Sequence, residues 1–335
     1  MCGEPRRWVL AARPGKDLKV SDFDLQSFTP PDLGEGDVRV RVEHHTVAPG
    51  VRAKLMEETY AAMVHPGDPI PGNGVGVVET SRHPNFSQGD RVCGFLGWTN
   101  LAVLPGSQLE KLDEELFDER VPAASCVGVL GMSGLTAYFG LLKIGRVKPG
   151  ESVLVSSAAG AVGSVVGQIA RIHGCDVVGL AGSDEKCADI LAESGYDAAI
   201  NYRKVPDLGA AIKAARPDGV DVFFDNVGGA TLAAGFSNVR TFGRVVICGA
   251  MSTYDGGPDA MIPAPKPGKR QTLQAFVSPD FIEAFPAARR QMAQWLREGK
   301  LKHRPTIIHG LERAAEAFVG QFNGQTGPRP LVAVD

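Results

Sequence analysis

The sequence predicts an α/β protein in which a doubly wound parallel sheet follows a β-rich first part. Three observations carry that prediction. From about Gly128 apolar strands alternate with amphipathic helices, and a Gly-rich turn joins one of those strands to the helix after it. The chain before Gly128 reads as short strands cut by turn signals.

In the β-rich part, residues 38–42 alternate cleanly after Gly34-Glu35-Gly36-Asp37, and residues 74–78 follow Pro71-Gly72-Asn73. The α/β part opens with an apolar strand at 152–156. Residues 161–172 then place Val162, Val165, Val166, Ile169 and Ile172 at helical spacing. The pattern continues with strand 177–180, helix 184–194, strand 198–201, helix 208–215, strand 220–225, helix 232–239 and strand 244–249. Residues 252–269 are rich in Gly and Pro and read as a long loop, the kind that is functional or disordered. A helix at 282–299 and a short tail at 305–335 close the chain.

Composition limits the function classes. Among 335 residues there are 41 Gly and 23 Pro, yet 44% of the chain is hydrophobic, so collagen-like, coiled-coil and disordered readings are set aside. A balance of 35 basic against 38 acidic residues gives a net charge of -3 and no general pull toward nucleic acid. The apolar stretch at 8–12 after Arg6 and Arg7 is too short for a signal core, and no membrane-length apolar run exists. The six scattered cysteines contain no C-x-x-C pair. A soluble cytoplasmic protein with reduced thiols, and with neither a membrane nor a nucleic-acid partner, is expected.

The string Ser157-Ala158-Ala159-Gly160-Ala161-Val162-Gly163 stands where the Rossmann G-x-G-x-x-G fingerprint belongs, with Ala158 in the first Gly slot. Gly160 lets backbone amides approach a pyrophosphate, and Gly163 lets helix and sheet pack closely. The turn alone is a weak signal, but here it follows a strand, opens a helix and starts an alternating region. An NAD site wants an acid at the end of the second strand. Leu180-Ala181-Gly182-Ser183 offers none, and Lys186 follows, with Tyr202 and Arg203 after the third strand. A 2'-phosphate, hence NADPH, fits that charge pattern. The other reading makes Ser183 an N-cap, Asp184 and Glu185 complements of the helix dipole, and Lys186 a surface charge; both can hold together.

No metal site is expected. His44 and His45 are adjacent on one strand and point to opposite faces, and the other histidines have no ligand spacing. Gly131-Met132-Ser133-Gly134-Leu135 lacks the last Gly of a nucleophile elbow, and no Walker A string occurs. A cofactor-borne chemistry such as hydride transfer is left.

Five strings together resemble the zinc-independent branch of the medium-chain dehydrogenase/reductase superfamily, in its leukotriene 12-hydroxydehydrogenase / 15-oxoprostaglandin 13-reductase and curcumin reductase group. They are Gly134-Leu135-Thr136-Ala137-Tyr138, residues 160–168, Gly182-Ser183-Asp184-Glu185-Lys186, Phe224-Asp225-Asn226-Val227-Gly228-Gly229 and residues 248–254. The resemblance implies a GroES-like catalytic domain (1–128 plus 296–335) interrupted by a Rossmann NADP(H)-binding domain (129–295). It implies NADPH-dependent reduction of the C=C bond of α,β-unsaturated ketones or aldehydes, and a homodimer. By the same resemblance Gly160, Ala161, Val162 and Gly163 hold the pyrophosphate, Lys186 and Tyr202 the 2'-phosphate, and Asn226 the ribose region. Cys248, Gly249, Ala250, Met251, Ser252 and Thr253, with Phe276, Val277 and Ser278, then line the nicotinamide.

Reduction at the β-carbon pushes charge onto the carbonyl oxygen, so the site needs a hydrogen-bond donor there and a proton source for the α-carbon. Tyr254 is the expected catalytic donor; its other reading is a packing residue at the root of the loop. Three strings depart from the family pattern. Val47-Ala48-Pro49-Gly50-Val51-Arg52 stands for V-D-P-Y-M-R, Gly97-Trp98-Thr99-Asn100-Leu101 for G-W-Q-E-Y, and the tail 323–329 for G-x-N-x-G-K. Loss of the aromatic at Gly50 suggests a differently shaped, roomier pocket. A quinone oxidoreductase is the alternative enzyme, and a non-catalytic NADPH-binding regulatory or structural protein the alternative of another class.

Overall fold

The computed structural model describes residues 3–15, 17–56, 62–250, 264, 267–323, 326 and 329–334. In chain order the first elements are β1 (Arg6–Leu10), β2 (Phe23–Ser27), β3 (Asp37–Thr46), α1 (Val51–Met56), β4 (Gly74–Ser81), β5 (Arg91–Gly94), β6 (Leu101–Pro105) and β7 (Leu109–Lys111). There follow α2 (Met132–Phe139), β8 (Ser152–Val155), α3 (Gly163–Ile172), β9 (Asp176–Ala181), α4 (Asp184–Glu193), β10 (Ala198–Asn201) and α5 (Leu208–Ala215). The chain continues through β11 (Val220–Asp225), α6 (Gly229–Ser237), β12 (Val239–Ile247), β13 (Thr272–Ala275) and α7 (Phe285–Arg297). It ends with β14 (Thr306–His309), α8 (Ala314–Asn323) and β15 (Pro330–Ala333).

These elements divide into two units, Met1–Gly128 with Arg304–Asp335, and Val129–His303. The chain leaves the second unit at 303 rather than at the expected 295. The segment after α7 is tied to that unit: Lys302 N donates to Gln168 Oε1 (2.7 Å), and Lys300 N and Leu301 N donate to Trp295 O (2.9 and 3.0 Å).

The first unit is built on a seven-stranded sheet, ordered β14-β15-β3-β4-β5-β7 with β6 also paired to β3. Alternation along β3 buries Val38, Val40 and Val42, as a strand with one covered face requires. The strand runs on past residue 42 to Thr46 and buries His45. The tail is not loose, because Phe318 of α8 and Val332 of β15 lie in the same core as Trp8, Phe23, Leu55 and Trp98. Both indoles of that core are satisfied: Trp8 Nε1 donates to Leu311 O (2.8 Å) and Trp98 Nε1 to Thr46 O (3.0 Å).

Among its described residues the second unit carries six strands in the order β10-β9-β8-β11-β12-β13, every pair parallel. Counted from β8, that is 3-2-1-4-5-6, the doubly wound arrangement, with its reversal between β8 and β11. The two central strands are apolar runs, fully buried at Val153, Leu154, Val155, Phe223 and Phe224, because helices cover both faces. Strand β13 has no counterpart in the sequence reading. Two helices start elsewhere than expected. Helix α6 begins at Gly229 instead of 232, after left-handed Gly228 and Gly229 turn the chain, so Val239 falls in β12. Helix α7 begins at Phe285 instead of 282, since the 3₁₀ stretch Ser278–Ala284 before it contains non-helical Phe281 and Pro286 opens the new helix.

Candidate functional site

Parallel pairing brings the carboxyl ends of all six strands to one edge of the sheet. Val155 of β8 pairs with Gly179 of β9, Phe224 of β11 with Val155, Asp225 with Ile247 of β12, and Ile247 with Ala275 of β13. The segments that leave these ends are 156–162, 182–183, 202–204, 226–228, 248–250 and 276–278, and Gly163 and Lys186 lie in the first turns of the helices that follow the first two. Every described residue expected to meet the cofactor therefore sits on this edge, where ligands of open α/β sheets bind.

The turn after β8 is tight. Ser157 takes a left-handed conformation (φ 51°), Ala158 N donates to Leu180 O (3.0 Å) and Gly160 N to Ser157 O (3.0 Å). A Cβ at Gly163 would lie 2.3 Å from Ser157 O and 2.8 Å from Ala158 Cα, so only glycine lets α3 start so close to the strand. The amides of Ser164, Val165 and Val166 bond within the helix start, to Gly160 O and Val162 O. Those of Ala161, Val162 and Gly163 have no internal acceptor among the described residues. Amides without an internal acceptor at the positive end of a ten-residue helix fit an anionic diphosphate.

At the reversal between β8 and β11 lies a buried polar knot. Ser156 Oγ donates to Asp225 Oδ1 (2.6 Å) and accepts from Asn226 N (2.8 Å), while Asn226 Nδ2 donates to Ser156 O (2.7 Å). Asp225 Oδ2 accepts from Gly228 N (2.8 Å), and Asp225 O from Cys248 N (2.8 Å). Burial pushes the Asp225 carboxyl above the usual range, while the Ser156, Gly228 and Val227 donors pull it down. Asn226 is thus held by both its backbone and its side chain. Ser156 and Asp225 were not among the expected site residues; the signal available was that one ends the strand before the Gly-rich turn and the other precedes Asn226.

Beyond β9, Gly182 is bare for a reason. A Cβ there would lie 2.9 Å from Tyr202 Oη and 3.4 Å from Arg203 Nε. Arg203 also stacks over the Tyr202 ring, its Cζ 6.0 Å from the centroid. Ser183 caps α4 by accepting from Lys186 N (3.2 Å), which places Lys186 in the first helical turn, exposed. The cap reading of Ser183 is correct, and the structure sets a phenol and a guanidinium beside one bare glycine, with Lys186 four residues on in the first turn of α4.

Toward β12 and β13 the picture is mixed. Cys248 is half-buried, and its thiol is pushed up to about 12, by desolvation first and then by Asp225. A Cβ at Gly249 would come within 3.1 Å of Asn226 O, so the two loops touch. The Phe276 ring packs where a Gly140 side chain would be (2.5 Å), and Ser278 Oγ hydrogen-bonds Thr136 Oγ1. Both side chains are engaged within the unit, leaving Val277 as the exposed side chain of the three. Met251, Ser252, Thr253 and Tyr254 lie outside the described residues. Among the described residues no three His, Cys, Asp or Glu side chains form a group able to hold a metal, and no helix is long and apolar enough to cross a membrane.

Two family models match, one described as the N-terminal domain of oxidoreductase over residues 6–112 and one as zinc-binding dehydrogenase over residues 161–294. Prostaglandin reductase 1 of Bos taurus is 40% identical over 319 residues, covering 93% of this chain and 94% of its own. The chain belongs to the zinc-independent medium-chain dehydrogenase/reductase superfamily, in its prostaglandin and curcumin reductase group. NADPH-dependent curcumin reductase of Escherichia coli is 35% identical, covering 98% of this chain and 96% of its own. The crystal structure of CurA from Vibrio vulnificus in complex with NADPH superposes with a TM-score of 0.87 at 31% identity, covering 98% of this chain and 99% of its own. Within this superfamily chain, Gly50 stands beside α1 with nothing within 4 Å of its Cβ position, so the absent aromatic leaves open space. The altered tail lies mostly outside the described residues; its Thr326 Oγ1 donates to Ala317 O (2.9 Å).

Proposed function

We propose that the protein is an NADPH-dependent reductase of the C=C bond of α,β-unsaturated ketones or aldehydes. The observation that carries the cofactor half is the Gly182 mouth, where Tyr202 and Arg203 stand against the glycine, Lys186 follows in the first turn of α4 and no acid ends β9. The substrate half is supported by membership in a group whose relatives are named for prostaglandin and curcumin, the latter a conjugated enone. Bound NADPH supplies the hydride for the β-carbon.

This chain's own residues bind, orient and stabilise. The amides of Ala161, Val162 and Gly163 meet the pyrophosphate, and Lys186 with Tyr202 meets the 2'-phosphate. Asn226, fixed by Ser156 and Asp225, orients the ribose region. The 248–254 loop and residues 276–278 border the nicotinamide. The Tyr254 hydroxyl donates to the carbonyl oxygen as negative charge builds there, which lowers the barrier most in a water-poor site. The reading includes a homodimer, checked by light scattering.

The test follows NADPH oxidation against a panel of enones, enals and quinones. Turnover of enones or enals is expected, with Tyr254→Phe at least tenfold slower at unchanged NADPH affinity. Activity confined to quinones would replace the reading with a quinone oxidoreductase, and tight NADPH binding with no turnover of any acceptor would make the protein non-catalytic.

A further inference from the structure

The turn that carries Tyr202 and Arg203 also carries Lys204, and its geometry is fixed by Asn201. Asn201 Oδ1 accepts from Arg203 N (3.1 Å), and Asn201 O accepts from Lys204 N (3.1 Å). The other end of the same amide reaches across to α4, where Asn201 Nδ2 donates to Asp184 Oδ1 (2.6 Å). The second oxygen of Asp184 is bonded by Lys204 Nζ. Both carboxylate oxygens are therefore taken, one by an amide and one by an ammonium.

Asp184 stands two residues after Gly182 and shares the first turn of α4 with Lys186. It is the first acid after β9. An acid near this strand end is what a free ribose diol attracts and what a 2'-phosphate repels. We propose that Lys204 and Asn201 form a clip that withdraws and neutralises Asp184, so that the mouth beside Gly182 selects the phosphorylated ribose of NADPH over the free hydroxyl of NADH. The inference rests on the NADPH reading above and adds specificity-determining residues to it. Lys204 and Asn201 act through Asp184, so they are positioning residues. The Asp184 carboxyl is held below the usual range by the Lys204 bond first and the Asn201 bond second, so it stays charged and dependent on its partners at any working pH.

The groups are exposed, so the effect is modest and screened by salt. Releasing one carboxylate beside a dianion in high dielectric changes affinity by about threefold at 0.1 M salt and by more at 10 mM. The experiment measures dissociation constants of NADPH and NADH by nicotinamide fluorescence for the intact protein, Lys204→Met, Asp184→Asn and the double variant. Lys204→Met should lower the NADPH:NADH affinity ratio about threefold, with a larger drop at low salt. Asp184→Asn in the Lys204→Met background should restore it. A ratio that stays low in the double variant would mean that Lys204 meets the phosphate itself, and an unchanged ratio in Lys204→Met would mean that Asp184 has no influence; either overturns the clip. A merely structural loss would weaken both nucleotides together and leave the ratio alone. Failure of the parent reading is separate: the unaltered protein would show no preference for NADPH, or Lys186→Ala would leave the preference intact.

Discussion

His45 gives the first unit a pH dependence that can be worked out from its surroundings. It lies wholly buried in β3, stacked near Trp98 (centroids 6.1 Å apart), with Nδ1 3.3 Å from Thr46 O and no partner for Nε2 among the described residues. Desolvation lowers its pKa to about 4 from 6.5; the contact with Thr46 O opposes this, and His44 adds a little in the same direction. Because the folded value lies below the unfolded one, the unfolded chain takes up the proton first as pH falls. The contribution is fully present above about pH 6.5 and is lost progressively down to about pH 4. Linkage gives a loss of about 2 kcal/mol between pH 7 and pH 5, and about 3 kcal/mol by pH 4. Equilibrium urea unfolding followed by tryptophan fluorescence at several pH values checks this, comparing the protein with His45→Leu and His45→Gln. Either variant should remove about 2 kcal/mol of pH dependence between 7 and 5. Parallel pH curves for all three proteins would refute the reasoning.

Two further predictions concern the second unit. Tyr196 is buried, donates to Gly163 O (2.6 Å), and has its ring against Gly167 and Gly179, where Cβ atoms would lie 2.2 and 2.8 Å from it. Gly167→Ala should therefore cost about 1–3 kcal/mol in thermal or urea unfolding, whereas Tyr196→Phe, which keeps the ring, should cost only about 1 kcal/mol. Asp225→Ala leaves Ser156 Oγ and the amides of Val227 and Gly228 without their acceptor. It should weaken NADPH at least tenfold in a fluorescence titration, with Asp225→Asn intermediate; equal affinity in the alanine variant would remove the knot from cofactor positioning.

Legibility in the sequence followed the physics of each feature. Strands 198–201 and 220–225 and helix 208–215 were readable to the residue, because a period of two or 3.6 and clear caps leave few alternatives; Asp207 caps α5 by accepting from Ala210 N (2.9 Å). Strand β13 was hidden because Thr272–Ala275 sits at the sheet edge with mostly exposed residues, so it lacks the apolar run of its neighbours. The starts of α6 and α7 were misplaced for a similar reason, since left-handed glycines and a 3₁₀ lead-in set them rather than periodicity. The Gly-rich turn and Lys186 were visible as strings. The Ser156–Asp225–Asn226 knot and the Asn201–Asp184–Lys204 clip were not, because each joins residues from different elements and exists only once the parallel register is made.

That difference explains why cofactor chemistry reads more easily from this chain than substrate choice. A dinucleotide fold is marked by close backbone packing at its strand ends, and that packing leaves glycines at fixed places: Gly163 against Ser157 O, Gly182 against Tyr202, Gly249 against Asn226 O. Those glycines are local to strand ends and survive as a recognisable string. The substrate determinants proposed above, the missing aromatic at Gly50 and the phenol of Tyr254, lie far apart in sequence and are not bound by any local period. Filling the open space with Gly50→Tyr should therefore alter the ranking of enones by size, with bulky acceptors losing most, while the NADPH dissociation constant holds. A uniform fall across all acceptors would count against a pocket role for this position.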